Sequence, residues 1–240
     1  MHYRDRIRLR EFAVEFRTLG GVGQAKEMSH RGRQYGLLLK VKRTVDLIMS
    51  FALLTAFSPA LFAIGILLFL TMGRPILFRQ QRAGRYGRPF IVYKFRTMTD
   101  ERDAHGQPVS DRERLTRVGR LLRLFSFDEL PQLWNVLRGE MSLVGPRPLL
   151  MQYMDRYSPE QLRRHDVQPG ITGWAQVHGR NAMSWAERFH LDLWYVNNWS
   201  LALDVWILLC TPWQILKRTG ISQTGHVTMP EFLGSEPGKR

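Results

Sequence analysis

One run stands out along the chain: residues 47–73, LIMSFALLTAFSPALFAIGILLFLTMG, carry no charged side chain. Roughly 20 apolar residues cross the hydrocarbon core of a bilayer, so the run predicts a membrane-embedded helix. Ser58-Pro59 falls near its middle, where a proline removes a helical hydrogen bond and bends the axis. A later apolar stretch, LALDVWILLCTPWQIL, contains Asp204 and Pro212 and is too short to cross. Between the two runs the pattern changes twice. In ILFRQQRAGRYGRPFIVYKFRTMT, residues 76–99, Ile91, Tyr93 and Phe95 alternate with Val92, Lys94 and Arg96, which predicts two short strands around a Gly-rich turn. DERDAHGQPVSDRE reads as a polar loop whose Asp100, Glu101 and Asp103 are solvated. From residue 113 apolar positions recur at helical spacing in ERLTRVGRLLRLFS, in the segment from Asp128 and in PLLMQYMDRYSPEQLRRHD. A further helix is predicted around SWAERFHLDLWYVNN, after the glycine-rich QPGITGWAQVHGRN. The fold class is therefore mainly α with a small β element.

Charge narrows the partners. Lys+Arg 35 against Asp+Glu 21 gives a net charge of +14, which suits nucleic acid, phospholipid or a phosphorylated substrate. Cys210 is the single cysteine, so an internal disulfide and a cysteine-rich zinc site are excluded. Lys40, Lys42 and Arg43 precede the apolar run; Arg74, Arg79, Arg82, Arg85, Arg88, Lys94 and Arg96 follow it, with no acid until Asp100. Cytoplasmic flanks are the Lys/Arg-rich ones, and both flanks qualify. A bent helix that returns to its own leaflet satisfies both; a proline-kinked spanning helix is the alternative, and these rules alone leave the two open. Residues 1–39 form a basic arm in which RIRLREFAVEFRTLGG suggests an amphipathic helix broken by Gly20, Gly21 and Gly23, either touching lipid headgroups or solvated. Trp185, Trp194, Trp199, Trp206 and Trp213 suit the membrane interface or ordinary core packing. The rival readings are a membrane-anchored protein that binds nucleic acid and a scaffold without chemistry. Because the basic residues flank an apolar insertion, anionic membrane lipid is the better partner and no nucleic acid is expected.

The chemistry concentrates in DELPQLWNVLRGEMSLVGPRP, residues 128–148. Asp128 has a structural reading as the N-cap of a helix with Pro131 in its first turn. Leu130, Leu133, Trp134 and Leu137 would then make one apolar face, and Gly139 would stop the helix. It also has a catalytic reading, which this stretch alone leaves open. The two are compatible, since a helix N-terminus adds amide donors that favour phosphate oxygens. Arg147, restrained by Pro146 and Pro148, can present its guanidinium to a phosphate with little loss of freedom.

KRTVDLIMSFALLTAFSPALF, YKFRTM, LRLFSFDELPQLWNVLRGEMSLVGPRP, PGITGWAQVHGRN and LDLWYVNNWSLALD occur in the order and spacing of the bacterial sugar transferases. From about Lys42 to about Ser222 the chain resembles these monotopic polyprenyl-phosphate phosphoglycosyl transferases, in their small single-domain form. The resemblance implies a basic arm (1–39), a re-entrant membrane helix broken at Ser58 and Pro59 (40–73), a cytoplasmic catalytic domain with interfacial helices (74–222) and a C-terminal tail (223–240). It implies passage of a phosphosugar from a UDP-sugar to polyprenol (undecaprenol) phosphate, releasing UMP, at the cytoplasmic face of the bacterial inner membrane. By this resemblance Asp128 is the nucleophile of a ping-pong reaction through an aspartyl-phosphosugar, and Glu129 is its partner and the ligand of Mg²⁺. Arg123, Lys94, Arg147, Pro148 and Asp192 would lie at the phosphate and nucleotide. Neither the sugar nor the oligomeric state, a homodimer included, is fixed by the sequence.

Overall fold

The computed structural model describes residues 26–179, 183–217 and 230–234, with side chains from residue 36 onward. The chain divides into two units, Met1–Val41 and Lys42–Arg240. Of the first, residues 1–25 lie outside the described residues, including the amphipathic stretch and its glycines. From Lys26 the backbone is helical, so helix begins inside the stretch read as an arm.

That helix, α1, runs Lys26–Met72 and contains Pro59. The break expected at Ser58-Pro59 is not an interruption of helical backbone. Ser58 Oγ donates to the Thr55 carbonyl at 2.8 Å, and Thr55 Oγ1 donates to the Phe51 carbonyl at 2.9 Å. The first of these uses the Thr55 carbonyl, which Pro59 leaves without an amide donor. The stretch Gly36–Met72 is long and apolar enough to cross a membrane, and its best window is only 6% buried in protein. Phe51, Phe62, Ile66 and Leu70 are exposed, so this helix presents a large apolar surface that the protein itself leaves uncovered.

In the second unit, β1 (Leu77–Ala83) and β2 (Pro89–Phe95) pair antiparallel, from Leu77 opposite Phe95 to Ala83 opposite Pro89. The two strands expected over residues 76–99 are present. Paired residues share a face, so Gln80 and Arg82 lie on the same side as Phe90, Val92 and Lys94. Further helices are α2 (Arg117–Leu124), α3 (Gln132–Leu137), α4 (Trp174–His178), α5 (Trp185–Asn198) and α6 (Leu201–Lys217). A short parallel pair, β3 (Ser142–Val144) with β4 (Gly170–Thr172), joins the two glycine-bearing motifs. A Cβ on Gly170 would come 2.1 Å from the Gly145 amide nitrogen, so backbone meets backbone where any side chain would force them apart.

The main core gathers Val92, Leu133, Val136, Met141, Val144, Trp174, Tyr195, Leu203 and Ile207, with Leu53 and Leu54 of α1 against it. A second cluster packs Leu68 with Phe95 and Leu122. The tryptophans divide: Trp194 stacks on Trp174 with ring centroids 4.3 Å apart, while Trp206 and Trp213 are exposed. A third cluster fastens residues 230–234, the described part of the stretch read as a C-terminal tail. Phe232 is buried among Tyr153, Tyr157, Trp185 and Phe189, and Trp185 Nε1 donates to the Pro230 carbonyl. A single phenylalanine is enough to dock a short segment when aromatic edges surround it.

Candidate active site

The site is assembled by three close approaches. Gly119 lies directly under the Thr97 carbonyl, where a Cβ would fall 2.0 Å from that oxygen, so α2 packs tightly on the chain leaving β2. Arg123 on α2 then donates from Nε to Thr97 Oγ1 at 3.0 Å. After α2 the chain reverses at Ser126, whose φ of 58° and ψ of 21° are left-handed. For a residue with a side chain that costs about 1–2 kcal/mol, and such strain concentrates at functional sites. The reversal presents Phe127–Glu129 as one 3₁₀ turn.

Here the capping expectation is corrected. Asp128 lies inside this turn, and the N-cap of α3 is Pro131, with no side-chain cap. Proline fixes the first helical φ and has no amide to be capped, so the helix starts there without Asp128. Gly139, at φ 79°, ends the helical segment as expected, and Arg43 donates to the carbonyls of Val136 and Leu137 at the same end. On the expected apolar face Leu133 is buried, but Trp134 is exposed.

The third approach places the opposite wall. The parallel pair pins the Gly145–Pro148 loop: the Gly145 amide donates to the Thr172 carbonyl at 2.9 Å, and the Gly170 amide donates to the Pro146 carbonyl at 3.0 Å. Pro146 and Pro148 are buried, and Arg147 reaches out between them. Its Nη2 donates to Glu129 Oε1 at 2.5 Å and Nη1 to Oε2 at 3.3 Å. Lys94 Nζ also reaches Oε1, at 2.6 Å. Asp128, Glu129, Arg123, Lys94 and Arg147 are thus brought together.

Asp192 is not with them. It is 2% exposed, in the core, and takes both Nε and Nη2 of Arg164, at 3.1 and 2.7 Å. Arg164 in turn donates to the Arg147 carbonyl at 2.8 Å. Asp192 is therefore enclosed by protein, and it holds the arginine that bonds to the backbone of Arg147.

The two neighbouring acids have opposite electrostatic fates. Burial alone would push the Glu129 carboxyl up, but Arg147 and Lys94 outweigh it and hold that carboxyl well below the usual carboxylate range. Burial and the adjacent Glu129 charge push Asp128 up, against the pull of Lys94, Arg123 and Arg147. Among the described residues nothing donates a hydrogen bond to the Asp128 carboxylate. Burial lowers Lys94, with Glu129 opposing, and the charge of Glu129 raises Arg147 further. The result is a half-buried, cation-rich basin whose one acceptor without a donor is Asp128.

A metal can be tested against the donors. Groups of three or more His, Cys, Asp or Glu that could hold an ion are absent among the described residues. Mg²⁺ commonly needs only one or two carboxylates beside phosphate oxygens and water. Glu129 Oε1 already accepts from two cations, while Oε2 has only the 3.3 Å contact. That oxygen, with Asp128 beside it in the chain, fits a metal brought in by a diphosphate.

Sequence reasoning missed several residues of this site. Asn135 is fully buried in α3 and ties it to β2: Nδ2 donates to the Ile91 carbonyl at 2.6 Å, and Oδ1 accepts from the Tyr93 amide at 3.2 Å. Its signal was a polar residue directly beside the apolar stripe. Thr97 and Arg164, which hold Arg123 and Arg147, gave no such signal.

The chain is similar to known proteins over most of its length. The family described as bacterial sugar transferase matches residues 37–218. The uncharacterized sugar transferase EpsL of Bacillus subtilis (strain 168) is 53% identical over 195 residues, covering 81% of this chain and 96% of that protein. The UDP-glucose:undecaprenyl-phosphate glucose-1-phosphate transferase of Caulobacter vibrioides is 43% identical over 180 residues, 71% of this chain and 67% of its own. The UDP-galactose-lipid carrier transferase of Erwinia amylovora is 41% identical over 197 residues, and the match spans only 41% of that longer protein.

Proposed function

Since the chain belongs to the bacterial sugar transferase family, and so to the phosphoglycosyl transferases, we propose that it moves a phosphosugar from a UDP-sugar to polyprenol phosphate through a covalent intermediate on Asp128. The observation that carries this reading is a buried carboxylate with no hydrogen-bond donor, ringed by cations that are each held on another group. An Asp128 oxygen attacks the β-phosphorus of the UDP-sugar. The new O–P bond forms as the bond from that phosphorus to the bridging oxygen breaks, and the electron pair leaves on UMP. An oxygen of the polyprenol phosphate then attacks the same phosphorus, the aspartyl O–P bond breaks, and the carboxylate is regenerated beside a polyprenol-diphosphate-sugar. Lys94, Arg123 and Arg147 neutralise a diphosphate that would otherwise repel the attacking acid. Glu129 orients two of these cations and offers Oε2 to Mg²⁺, which supplies charge neutralisation on the phosphates when bound.

The same reading sets the chain on the cytoplasmic face of the inner membrane with a re-entrant helix. Residues 47–70 would make a straight helix of about 36 Å, enough to span a core of roughly 30 Å. Yet both halves of the helix rest on one folded body. Asp46 accepts from the Leu143 amide and Leu53 and Leu54 join the main core, while Leu61, Ile64, Leu68 and Met72 pack with Phe95 and Leu122. Contact on both sides of Pro59 supports a helix that returns to its own leaflet, a course that suits the basic residues on both flanks.

The test is direct. Detergent-extracted protein, Mg²⁺ and a series of UDP-sugars release UMP without acceptor, and a quenched reaction with labelled sugar phosphate leaves label on the peptide containing residue 128. UMP release only when polyprenol phosphate is present, with no labelled peptide, rules out the covalent route. With Cys210 replaced, single cysteines at Gly21 and Gly106 react with impermeant reagent from the cytoplasmic side alone; labelling from opposite faces ends the re-entrant course.

A further inference from the structure

Two arginines around this site come with acids. Arg147 has Glu129, and Arg164 has Asp192. Arg82 is different. It lies half-buried on β1, and its side chain donates from Nη2 to the Gln80 side-chain oxygen at 2.5 Å. Among the described residues no ion pair reaches it. Register puts it on the face of the hairpin that carries Lys94, and it forms an antiparallel bridge with Leu150, just past Pro148. The neighbouring Ala83 amide donates to the Leu149 carbonyl at 3.0 Å, so its strand is fastened to the Arg147 loop. The charges felt by Arg82 are those of Arg147, which repels it, and Glu129, already held by two other cations. Burial and Arg147 together pull its guanidinium down to about 10.

Desolvating a cation beside another cation, with an amide oxygen as its hydrogen-bond partner, destabilises the empty protein. Gln80 accepts one N–H of a fork that carries five donors. The arrangement is relieved when an anion with several oxygens arrives, and a phosphate matches the guanidinium fork.

We infer that Arg82, braced by Gln80, is a phosphate-binding residue of this site, charged in advance for a phosphate group of the substrate. The inference rests on the phosphoglycosyl transfer reading and adds to it a ligand on the hairpin wall. The reaction brings two phosphates to Asp128 in turn, the diphosphate of the donor and the monophosphate of the lipid.

Arg82→Met, Arg82→Lys and the wild type decide it. Thermal unfolding without ligand and with UDP or inorganic diphosphate is measured first. The Met variant unfolds no lower than wild type without ligand and loses the upward shift that UDP gives wild type; the Lys variant keeps part of it. Loss of a charge-assisted bond raises KM by roughly tenfold to a hundredfold with a smaller effect on kcat. A rise in KM for UDP-sugar assigns the group to the donor, and a rise in KM for polyprenol phosphate assigns it to the acceptor. A Met variant that unfolds lower than wild type while keeping the UDP shift and both KM values makes Arg82 a structural residue and overturns the inference. If wild type itself releases no UMP from any UDP-sugar, the transferase reading fails, and the diphosphate shift still tests Arg82 on its own.

Discussion

Two aspartates, Asp204 and Asp128, are 6% and 8% exposed, and the protein treats them in opposite ways. Asp204 is saturated. Its oxygens accept from Lys42 Nζ at 2.5 Å, Tyr195 Oη at 2.7 Å and Trp199 Nε1 at 3.0 Å; Lys42 also donates to the Val144 carbonyl, which lies 3.2 Å from Tyr195 Oη. Those bonds tie α1, α5 and α6 to β3, immediately before the loop of Arg147. Asp128 has cations around it and none bonded to it, because Arg123 is held by Thr97, and Lys94 and Arg147 by Glu129. A saturated acid locks structure; an unsaturated one keeps its lone pairs for chemistry. Burial does not separate the two roles, but the destination of each hydrogen bond does.

The largest effect expected from breaking this contrast is at Asp128. Asp128→Asn abolishes UMP release, and because it removes a buried charge without donors, the variant unfolds no lower than wild type. A variant that turns over normally, or that unfolds several degrees lower, places Asp128 with Asp204 as a structural acid. Next is Asp204→Ala, which leaves Lys42 buried without its acid. Removing one partner of a buried pair costs about 3–5 kcal/mol, read as a lower midpoint in thermal or denaturant unfolding in detergent, whereas UMP release by the fraction still folded persists. An unchanged midpoint would show that the network holds nothing.

The pH dependence sharpens the comparison further. The folded state raises the Asp128 carboxyl above its unfolded value of about 3.9, so between the two values the folded protein binds the extra proton. From this group alone, stability is greatest below the unfolded value and falls as pH rises through the folded one. Activity runs the other way, since only the carboxylate attacks. The difference in midpoint between wild type and Asp128→Asn should therefore widen with rising pH over the window in which UMP release climbs. Parallel pH profiles of wild type and variant stability would contradict the raised carboxyl.

The smallest expected effect lies away from both acids. Phe232→Ala empties an aromatic pocket at a loss of about 3 kcal/mol or less. It frees residues 230–234 to rapid amide exchange, and its effect on turnover is below that of any residue touching Glu129. Unchanged exchange there would mean that Phe232 does not fasten the segment.

Much of this was legible in the sequence. The charge-free run from residue 47, the hairpin, the helical spacing after residue 113 and the stop at Gly139 all follow from periodicity and glycine placement. The Asp128–Glu129 pair and Arg147 could be singled out because paired acids in a basic chain, and an arginine between prolines, are local features. Arg82 was legible only as one of the seven basic residues that follow the apolar run, because its meaning depends on which acid it lacks. The setting of Asp192 was hidden for the same reason: its partner, Arg164, lies 28 residues away, and spacing along the chain carries no trace of it.

What the sequence determined by itself is therefore everything set by local sterics and by the medium: an apolar helix that water rejects, two strands that alternate, turns where glycine or proline fixes the backbone. What only the tertiary structure decided is the assignment of hydrogen bonds among charges distant in sequence. A buried ion's free energy depends on whether a donor or counter-charge stands within about 3 Å of it, and that distance is set by packing. The chain supplies acids and bases of every kind; the fold satisfies Asp204, Asp192 and Glu129, and among the described residues leaves Asp128 without a hydrogen-bond donor and Arg82 without a counter-ion.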